Sequence, residues 1–418
     1  MRLGAVCSVF RKGIFDIKAS SYAEVGVPFV RIGNIRNGLI DSNDIALITP
    51  EAHTAEGNTA LKFGDIVLSK TAYAAAAFVN LPDCNVSQDT IAIKLSSYGL
   101  KQFKSGYIVA YLNSRYGLAL MSRQFQGNVQ EHLSLPDGQK VLVPLLSKEL
   151  QAKTDRSLRD ANEKLQIADQ KIEAATNSLV AALGLSQWHP AEPLTYVRQA
   201  SEAFAAGRLD SQYFAPRVAE LLIRLGSGGR SVGDAAPPRR ERFAPAESGT
   251  FRYMEISDLR SDGTAATEVV QMREAPSRAT WYARKGDVVT STVRPNRRLS
   301  ALLSPDQDGC VASSGFVVLQ PKLVQAEVLL TYLRLPVFCE LMDLHTSASL
   351  YPAISDSDLL TLPFPEIPQA ASNEIVSAVR AAHSAREQAH SLLAQAKRAV
   401  EIAIEDSEVA ALKFLKEN

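Results

Sequence analysis

The sequence predicts an α+β protein built twice: a mixed globule followed by a long helix, then a second globule followed by a second long helix. Two observations predict this. One is a pair of heptad-patterned helices, and the other is a set of strand and turn motifs repeated at a nearly constant offset. The first helix signal covers 150–183. Leu158, Leu165, Ile172 and Leu179 fall every seventh residue, with Ala161, Ala168, Ala175 and Ala182 on a second track. That is an a/d seam of large against small residues, and Thr154 carries it one step back. Its flanks are Asp, Glu, Lys, Arg, Gln and Asn, a solvated surface. At about 1.5 Å per residue such a helix is on the order of 50 Å long, so it needs a partner helix. The partner lies 221 residues on: Val379, Ala382, Ala389, Leu393, Ala396, Val400 and Ala403 repeat both tracks, and only Arg386, in the place of Leu165, breaks them.

The globules repeat at offsets of 219 to 224. Phe29, Ile32 and Ile35, after Pro28, suggest a strand leading to a turn at Asn37-Gly38; Tyr253 to Arg260 stands in the corresponding place, Ile32 matching Ile256 and Arg36 matching Arg260. Gly64-Asp65 before Ile-Val-Leu-Ser matches Gly286-Asp287 before Val-Val-Thr-Ser. A Gly-Asp pair feeding a β-branched run reads as a turn and then a strand, ending at Ser69 and Ser291. Further strands are expected at Thr90–Leu95 and Phe316–Gln320, and helices at Tyr107–Met121 and Val328–Met342. Polar loops follow at 127–132 and 346–351, and then apolar-proline exits at Val143-Pro144 and Leu362-Pro363. This gives a first globule at 1–146, a first long helix at 147–187, a connector at 188–238, a second globule at 239–366, and a second long helix with a tail at 367–418. The connector, with Gly-Ser-Gly-Gly at 226–229, reads as a flexible lead-in without a counterpart before the first copy.

Composition bounds the class. The chain has 418 residues, 46% hydrophobic and 22% charged, which is globular and long enough for two or three domains. No run of 18 apolar residues and no signal peptide is evident. Cys7, Cys84, Cys310 and Cys339 are scattered without a CxxC pair, and the six His are dispersed; a disulfide framework and a metal site are both unexpected. The expectation is a cytoplasmic protein with no membrane partner. With 45 basic and 45 acidic residues, any nucleic-acid role must rest on local patches. No Walker A motif, no GxSxG elbow and no Cys-His pairing appears, so no catalytic residue and no cofactor is expected in this chain.

The binding candidates lie in the loops, where the two copies diverge. The second copy has Arg294, Asn296, Arg297 and Arg298 just after a strand, where the first has Lys70-Thr-Ala-Tyr73. Arg reads guanine and Asn reads adenine bidentately in a major groove, and either can hold a phosphate. A repeating scaffold with differing loops suits two different targets. The first-copy candidates are Arg31, Asn34, Arg36, Lys70, Tyr73, Asn128, Gln130 and His132. In the second, Arg260, Ser347, Ser349 and Tyr351 join the arginine loop. Arg239, Arg240 and Arg242 form another basic cluster, phosphate-facing or solvated.

The chain resembles the DNA specificity subunit of type I restriction-modification systems over nearly its whole length. The carriers are the strand Phe29-Val-Arg-Ile-Gly-Asn-Ile, the turn-strand Phe63-Gly-Asp-Ile-Val-Leu-Ser and the apolar-proline exit, each given twice, with Arg208-Leu-Asp-Ser-Gln-Tyr-Phe-Ala-Pro as a lead-in. The first exit is poorer in proline than the second. The resemblance implies two target-recognition domains, each reading half of a split sequence in double-stranded DNA. It implies that the helices pack as an antiparallel coiled coil with pseudo-twofold symmetry and act as a spacer. Two modification subunits would bind the scaffold, hold S-adenosylmethionine and methylate a flipped adenine, and a motor-nuclease subunit would join for cleavage. Two alternatives stand beside it: the specificity component of another phage-defence or stand-alone adenine-methylation system, and a protein-interaction scaffold that does not bind DNA.

Overall fold

The computed structural model describes residues 1–127, 132–347 and 350–417. They form two compact units, residues 1–168 with 383–418, and residues 169–382.

In the first unit a six-stranded sheet runs in the order Cys7–Lys12, Thr90–Leu95, Ile66–Ser69, Ala76–Phe78, Leu39–Ile40, Ile35–Arg36. A four-stranded sheet runs Ala46–Ile48, Tyr22–Val30, Asp83–Val86, Leu61–Lys62. In the second unit a four-stranded sheet has the order Glu268–Gln271, Thr250–Met254, Val311–Ser313, Ala279–Tyr282, and a three-stranded sheet the order Ser300–Leu302, Val288–Ser291, Phe316–Leu319. The pairing recurs. Tyr22–Val30 lies parallel to Asp83–Val86, as Thr250–Met254 does to Val311–Ser313. Ile66–Ser69 is antiparallel to Thr90–Leu95, as Val288–Ser291 is to Phe316–Leu319.

The Gly-Asp turns are the same device twice. Gly64 and Gly286 take φ of +97° and +81°, a region a side chain resists. The Asp65 carboxylate accepts from Lys62 N at 2.8 Å, and Asp287 accepts from Arg284 N at 2.8 Å. Asn37 and Gly38, at φ +50° and +91°, make the two-residue hairpin between Ile35–Arg36 and Leu39–Ile40. The expected strand from Phe29 is interrupted before that hairpin by a 3₁₀ turn, Ile32–Asn34. The helices expected at Tyr107–Met121 and Val328–Met342 are each broken in two. The first splits into Ser105–Leu112 and Arg115–Ser122, because Ser114 caps the new start from Gly117 N. The second splits into Ala326–Leu333 and Pro336–Leu344, with Pro336 opening the new helix.

The exits are locked by tyrosine. Tyr107 Oη donates to Pro144 O at 2.7 Å, and Tyr332 Oη to Pro363 O at 2.6 Å. The long helices follow, Lys148–Ala182 and Gln369–Glu405. In the first unit Leu158 and Ala161 share a core with Ala389, Leu393, Ala396 and Val400. In the second, Ala175 and Leu179 share one with Ile375, Val376 and Val379. The early part of one helix therefore meets the late part of the other, which makes the pairing antiparallel. Thr154, Ala168, Ala382 and also Arg386 are buried, whereas Leu165, Ile172, Ala182 and Ala403 are half-buried. Alanine at the rungs lets the two backbones approach closely. Buried acids recur beside the coil. Asp155 accepts from Gly106 N and Arg159 Nε at 2.8 Å each, while Glu327 takes Arg380 Nε at 2.6 Å. Arg159 and Arg380 hold one rung, and the acid has changed sides.

Two readings of the connector are corrected. Residues 226–229 are not loose: Gly226 N donates to Leu222 O at 2.8 Å, and a Cβ on Gly228 would meet Glu366 N at 2.9 Å. The end of the connector also has a counterpart, at the start of the chain. Arg230–Ser231 pairs with Pro363–Phe364, and Val232 N donates to Leu362 O at 2.9 Å. Leu3 N likewise donates to Val141 O at 2.8 Å. The offset here is 229, outside the range that reveals the rest of the repeat.

Candidate nucleic-acid interface

Each unit joins two loops into one surface, and the joint is built the same way. Ser69 ends its strand and closes the following loop: its Oγ accepts from Ala75 N at 2.8 Å and donates to Tyr73 O. Ser291 Oγ donates to Val293 O at 3.0 Å and accepts from Val293 N at 3.2 Å. Each loop then bridges to the hairpin after the helix pair, Thr71 to His132 in the first unit and Val293 to Ala353 in the second. Leu133 N donates to Lys70 O at 2.7 Å. Arg294 N donates to Pro352 O at 2.8 Å, and Ile354 N to Thr292 O at 3.0 Å.

In the first unit this brings Lys70, Tyr73 and His132 together. Tyr73, 44% exposed, donates from Oη to Ile32 O at 3.0 Å, tying the loop to the turn that carries Arg31, Asn34 and Arg36. Asn34 is buried and serves that turn. Its Oδ1 accepts from Arg31 N at 3.0 Å, and its Nδ2 donates to Asp41 O at 3.1 Å. Asp258 does the same for Glu255 N at 2.8 Å in the second unit, so position 34 is a turn cap in both copies. Arg31 and Arg36 are exposed and line a polar cavity of about 330 Å³ with Asp41 and Asp44. Arg31 Nη2 donates to Asp44 O at 3.0 Å, and Arg36 Nε lies 3.9 Å from the Asp41 carboxylate. Asn128 and Gln130 lie outside the described residues.

The loop pair of the second unit is the more basic of the two. Its loop 292–299 holds three arginines, and neither it nor 346–354 contains an acid. Arg294 and Arg298 sit in the left-handed region at φ +51° and +56°, flanking the 3₁₀ turn Pro295–Arg297. A non-glycine residue there carries strain that the surroundings must hold. The loop is held by Arg297 N to Arg294 O at 3.0 Å, Arg298 N to Pro295 O at 2.9 Å and Ser291 N to Leu299 O at 2.8 Å. The Arg294 guanidinium lies 5.3 Å from the centroid of Tyr351, which is 71% exposed. Asn296, Arg297, Arg298 and Ser347 are exposed, and no ion pair engages either of these two arginines among the described residues. Arg260 is exposed on a separate turn, where its backbone N donates to Thr264 O at 2.9 Å; no described contact joins it to the loop pair. Ser349 lies outside the described residues.

Arg239 and Arg240 are already engaged. Arg239 grips Asp287 with two bonds, 2.6 and 3.0 Å, and Arg240 pairs with Asp356 at 2.9 Å. This Arg239 pair braces the Gly-Asp turn, and the two residues are too far apart in sequence for a local reading to join them.

The lead-in segment supports the second hairpin, a role that its sequence alone does not show. Arg208 makes two bonds to Asp210, 2.7 and 2.8 Å, and lies 4.2 Å from the Tyr213 centroid. Tyr213 meets His345 edge-on at 5.5 Å, immediately before Thr346. Burial, aided by Arg208, holds the His345 pKa below its ordinary value of 6.5, against the opposing pull of Asp358 and Asp210. As pH falls through 6.5, the unfolded chain takes up a proton that the folded unit resists, so stability is present above that pH and lost below it. The thermal midpoint of the second unit is therefore expected to drop between pH 8 and pH 5, and His345→Gln to lessen that drop. Equal drops in the two proteins would remove His345 from the account.

The thiols are quiet. Burial pushes Cys7, Cys84 and Cys339 up to about 12 and Cys310 to about 11. Among the described residues no group of three or more His, Cys, Asp or Glu could hold a metal ion, and no helix is long and apolar enough to cross a membrane.

Fold and surface together define a class: a duplicated α+β scaffold in which each unit presents a loop pair of its own chemistry from a shared frame. The chain is similar to the S subunit of a type I restriction-modification system from M. genitalium, at 12% identity over 100% of this chain and 94% of that one, with a TM-score of 0.41. It is similar to the HsdS subunit from Thermoanaerobacter tengcongensis at 17% identity, over 99% and 95% of the two chains, with a TM-score of 0.30. A third similar chain comes from a structure on complex assembly and conformational transition of the type I R-M system, at 16% identity over 95% and 96%, with a TM-score of 0.28. No family model and no curated protein matches the chain.

Proposed function

We propose that this chain is a non-catalytic DNA specificity subunit of the type I restriction-modification kind, which reads a bipartite target. The observation that carries the reading is the recurrence of one loop joint with different loops on it. Ser69 and Ser291 close the same corner, yet one corner presents Lys70, Tyr73 and His132 and the other Arg297, Arg298 and Asn296. A shared frame fixes where the loops stand, and the loop side chains decide what is read. Exposed Arg and Asn side chains on a pinned backbone suit base edges and phosphates. Each unit reads one half-site. The antiparallel helices set the separation between half-sites, as the protein frame does in dimeric DNA readers. Two modification subunits bring S-adenosylmethionine and the methyl transfer, and a motor-nuclease subunit brings cleavage. With a net charge of zero, this chain binds DNA weakly by itself, and its partners supply much of the backbone contact.

The test is methylation mapping by long-read sequencing in cells that carry the chain with its neighbouring methyltransferase, against cells lacking the chain. The expected result is a split motif with methyladenine in both halves, lost on deletion. Methylation that persists unchanged without the chain would overturn the reading.

A further inference from the structure

The two units match in their walls and differ in what lies between them. In the second unit the helix Pro216–Leu225 packs beside the helix Pro336–Leu344 and the exit Pro363–Phe364. Its stripe of Val218, Leu221 and Leu225 is buried in one core with Tyr332, Leu341 and Leu362. Arg217 forms an ion pair with Glu340 on the facing helix. The matching walls of the first unit are the helix Arg115–Ser122 and the exit at 142–144. Ala119 stands in the place of Glu340, and Leu142 in the place of Pro363. Between these walls lies an open groove of about 500 Å³, lined by Met1, Tyr116, Ala119, Leu120, Leu142 and Pro144, with Arg123 alongside. Leu142 is 54% exposed and Met1 37%. The lining is almost wholly apolar.

We propose that this groove seats an amphipathic helix of a partner protein, with an apolar stripe at i, i+3, i+4 and i+7 and a carboxylate facing Arg123. The occupant of the matching site shows the shape required: a helix of about three turns with one leucine-rich face. The charge is inverted. The second unit has an acid on the wall and an arginine on the helix. The first unit has alanine in place of the acid and offers Arg123 one turn further on, which makes no ion pair among the described residues. That inversion argues against a second copy of this chain as the occupant, because its Pro216–Leu225 carries arginine at the key position and already buries its apolar face. The C-terminal helix Glu408–Glu417 is engaged elsewhere, with Ala411 buried against Leu150 and Ala399. The inference does not rest on the DNA reading.

The probes are two fluorescein-labelled peptides: residues 212–227 of this chain, and the same peptide with Arg217→Glu. Each is titrated against the full chain by fluorescence anisotropy. Saturable binding is expected, tighter for the Arg217→Glu peptide. Arg123→Glu in the protein should reverse that preference, and Leu142→Asp should abolish binding. Ala119→Trp, at an exposed position, fills the groove without entering the core and should also abolish binding, which keeps the test open if Leu142→Asp misfolds. Absence of saturable binding by both peptides overturns the proposal, as does binding that survives both groove variants. A dimer in sedimentation that Ala119→Trp disperses would assign the groove to a second copy and overturn it equally.

Discussion

Replacing Arg297 with alanine is expected to relax the recognition sequence in one half-site and leave the other intact. The loop would survive the change, because its fixing bonds run through the backbone: Arg297 N to Arg294 O, Arg298 N to Pro295 O and Ser291 N to Leu299 O. What is lost is an exposed guanidinium with no ion-pair partner among the described residues. A bidentate arginine-guanine contact carries about 1–3 kcal/mol of discrimination, roughly a factor of 5 to 150 in the preference for the right base. The mapped motif should therefore become degenerate at about one position in the half read by the second unit. A phosphate contact would behave differently, with uniform weakening across sequences and a salt slope lowered by about one. An unchanged motif together with an unchanged salt slope would remove Arg297 from the interface. Arg294 is a different case. Its guanidinium lies near Tyr351 and donates to Leu350 O at 3.4 Å, so Arg294→Ala should loosen the whole hairpin and degrade the same half-site at more than one position.

Features set by periodicity or by a local backbone rule were legible in the sequence. The heptad tracks place Leu158, Ala161, Leu179, Val379 and Ala396 in buried seams because the pattern follows helix geometry and little else. Gly64-Asp65 and Gly286-Asp287 were legible because a positive φ needs glycine and the aspartate caps its own turn. Features that depend on partners distant in sequence were not. The tie between Arg239 and Asp287 gave no local signal. Asn34 has the chemistry of a base reader, but it caps a 3₁₀ turn. Its equivalence to Asp258 in the matching turn was the available clue, since an Asn-to-Asp exchange preserves a cap. The breaks at Ser114 and Pro336 did carry local signals, a serine cap within Asn113-Ser114-Arg115 and a proline after Leu335, which the apolar spacing on either side overrode in the helix expectation. The start of the repeat was hidden because Leu3-Gly4 and Val232-Gly233 stand 229 apart instead of 219 to 224.

The coil offers the second large effect. Insertion of one heptad into each long helix, between Ala168 and Ala175 in the first and between Ala382 and Ala389 in the second, keeps every a/d residue in register. Seven residues add about 10.5 Å of helix, which is about three base pairs at 3.4 Å each. Both half-site sequences should persist, because Arg297, Arg298, Lys70 and Tyr73 and the loops that carry them are untouched. The spacer between the half-sites should lengthen by about three base pairs, and methylation at the original spacing should disappear. The insertion must enter both helices. In one alone it would shift Leu158 and Ala161 against Ala389 and Leu393, or Ala175 and Leu179 against Val379. A whole-heptad slip keeps large and small residues on their own tracks, but it leaves seven residues of the longer helix without a partner and moves each rung away from the globule core it packs on. Methylation mapping of the double insertion decides the matter. Retention of the original spacing by a folded, active complex would show that the helices are not the ruler. Loss of methylation at every spacing, with the protein still folded, would show that partner docking and not DNA geometry fixes the length of the coil.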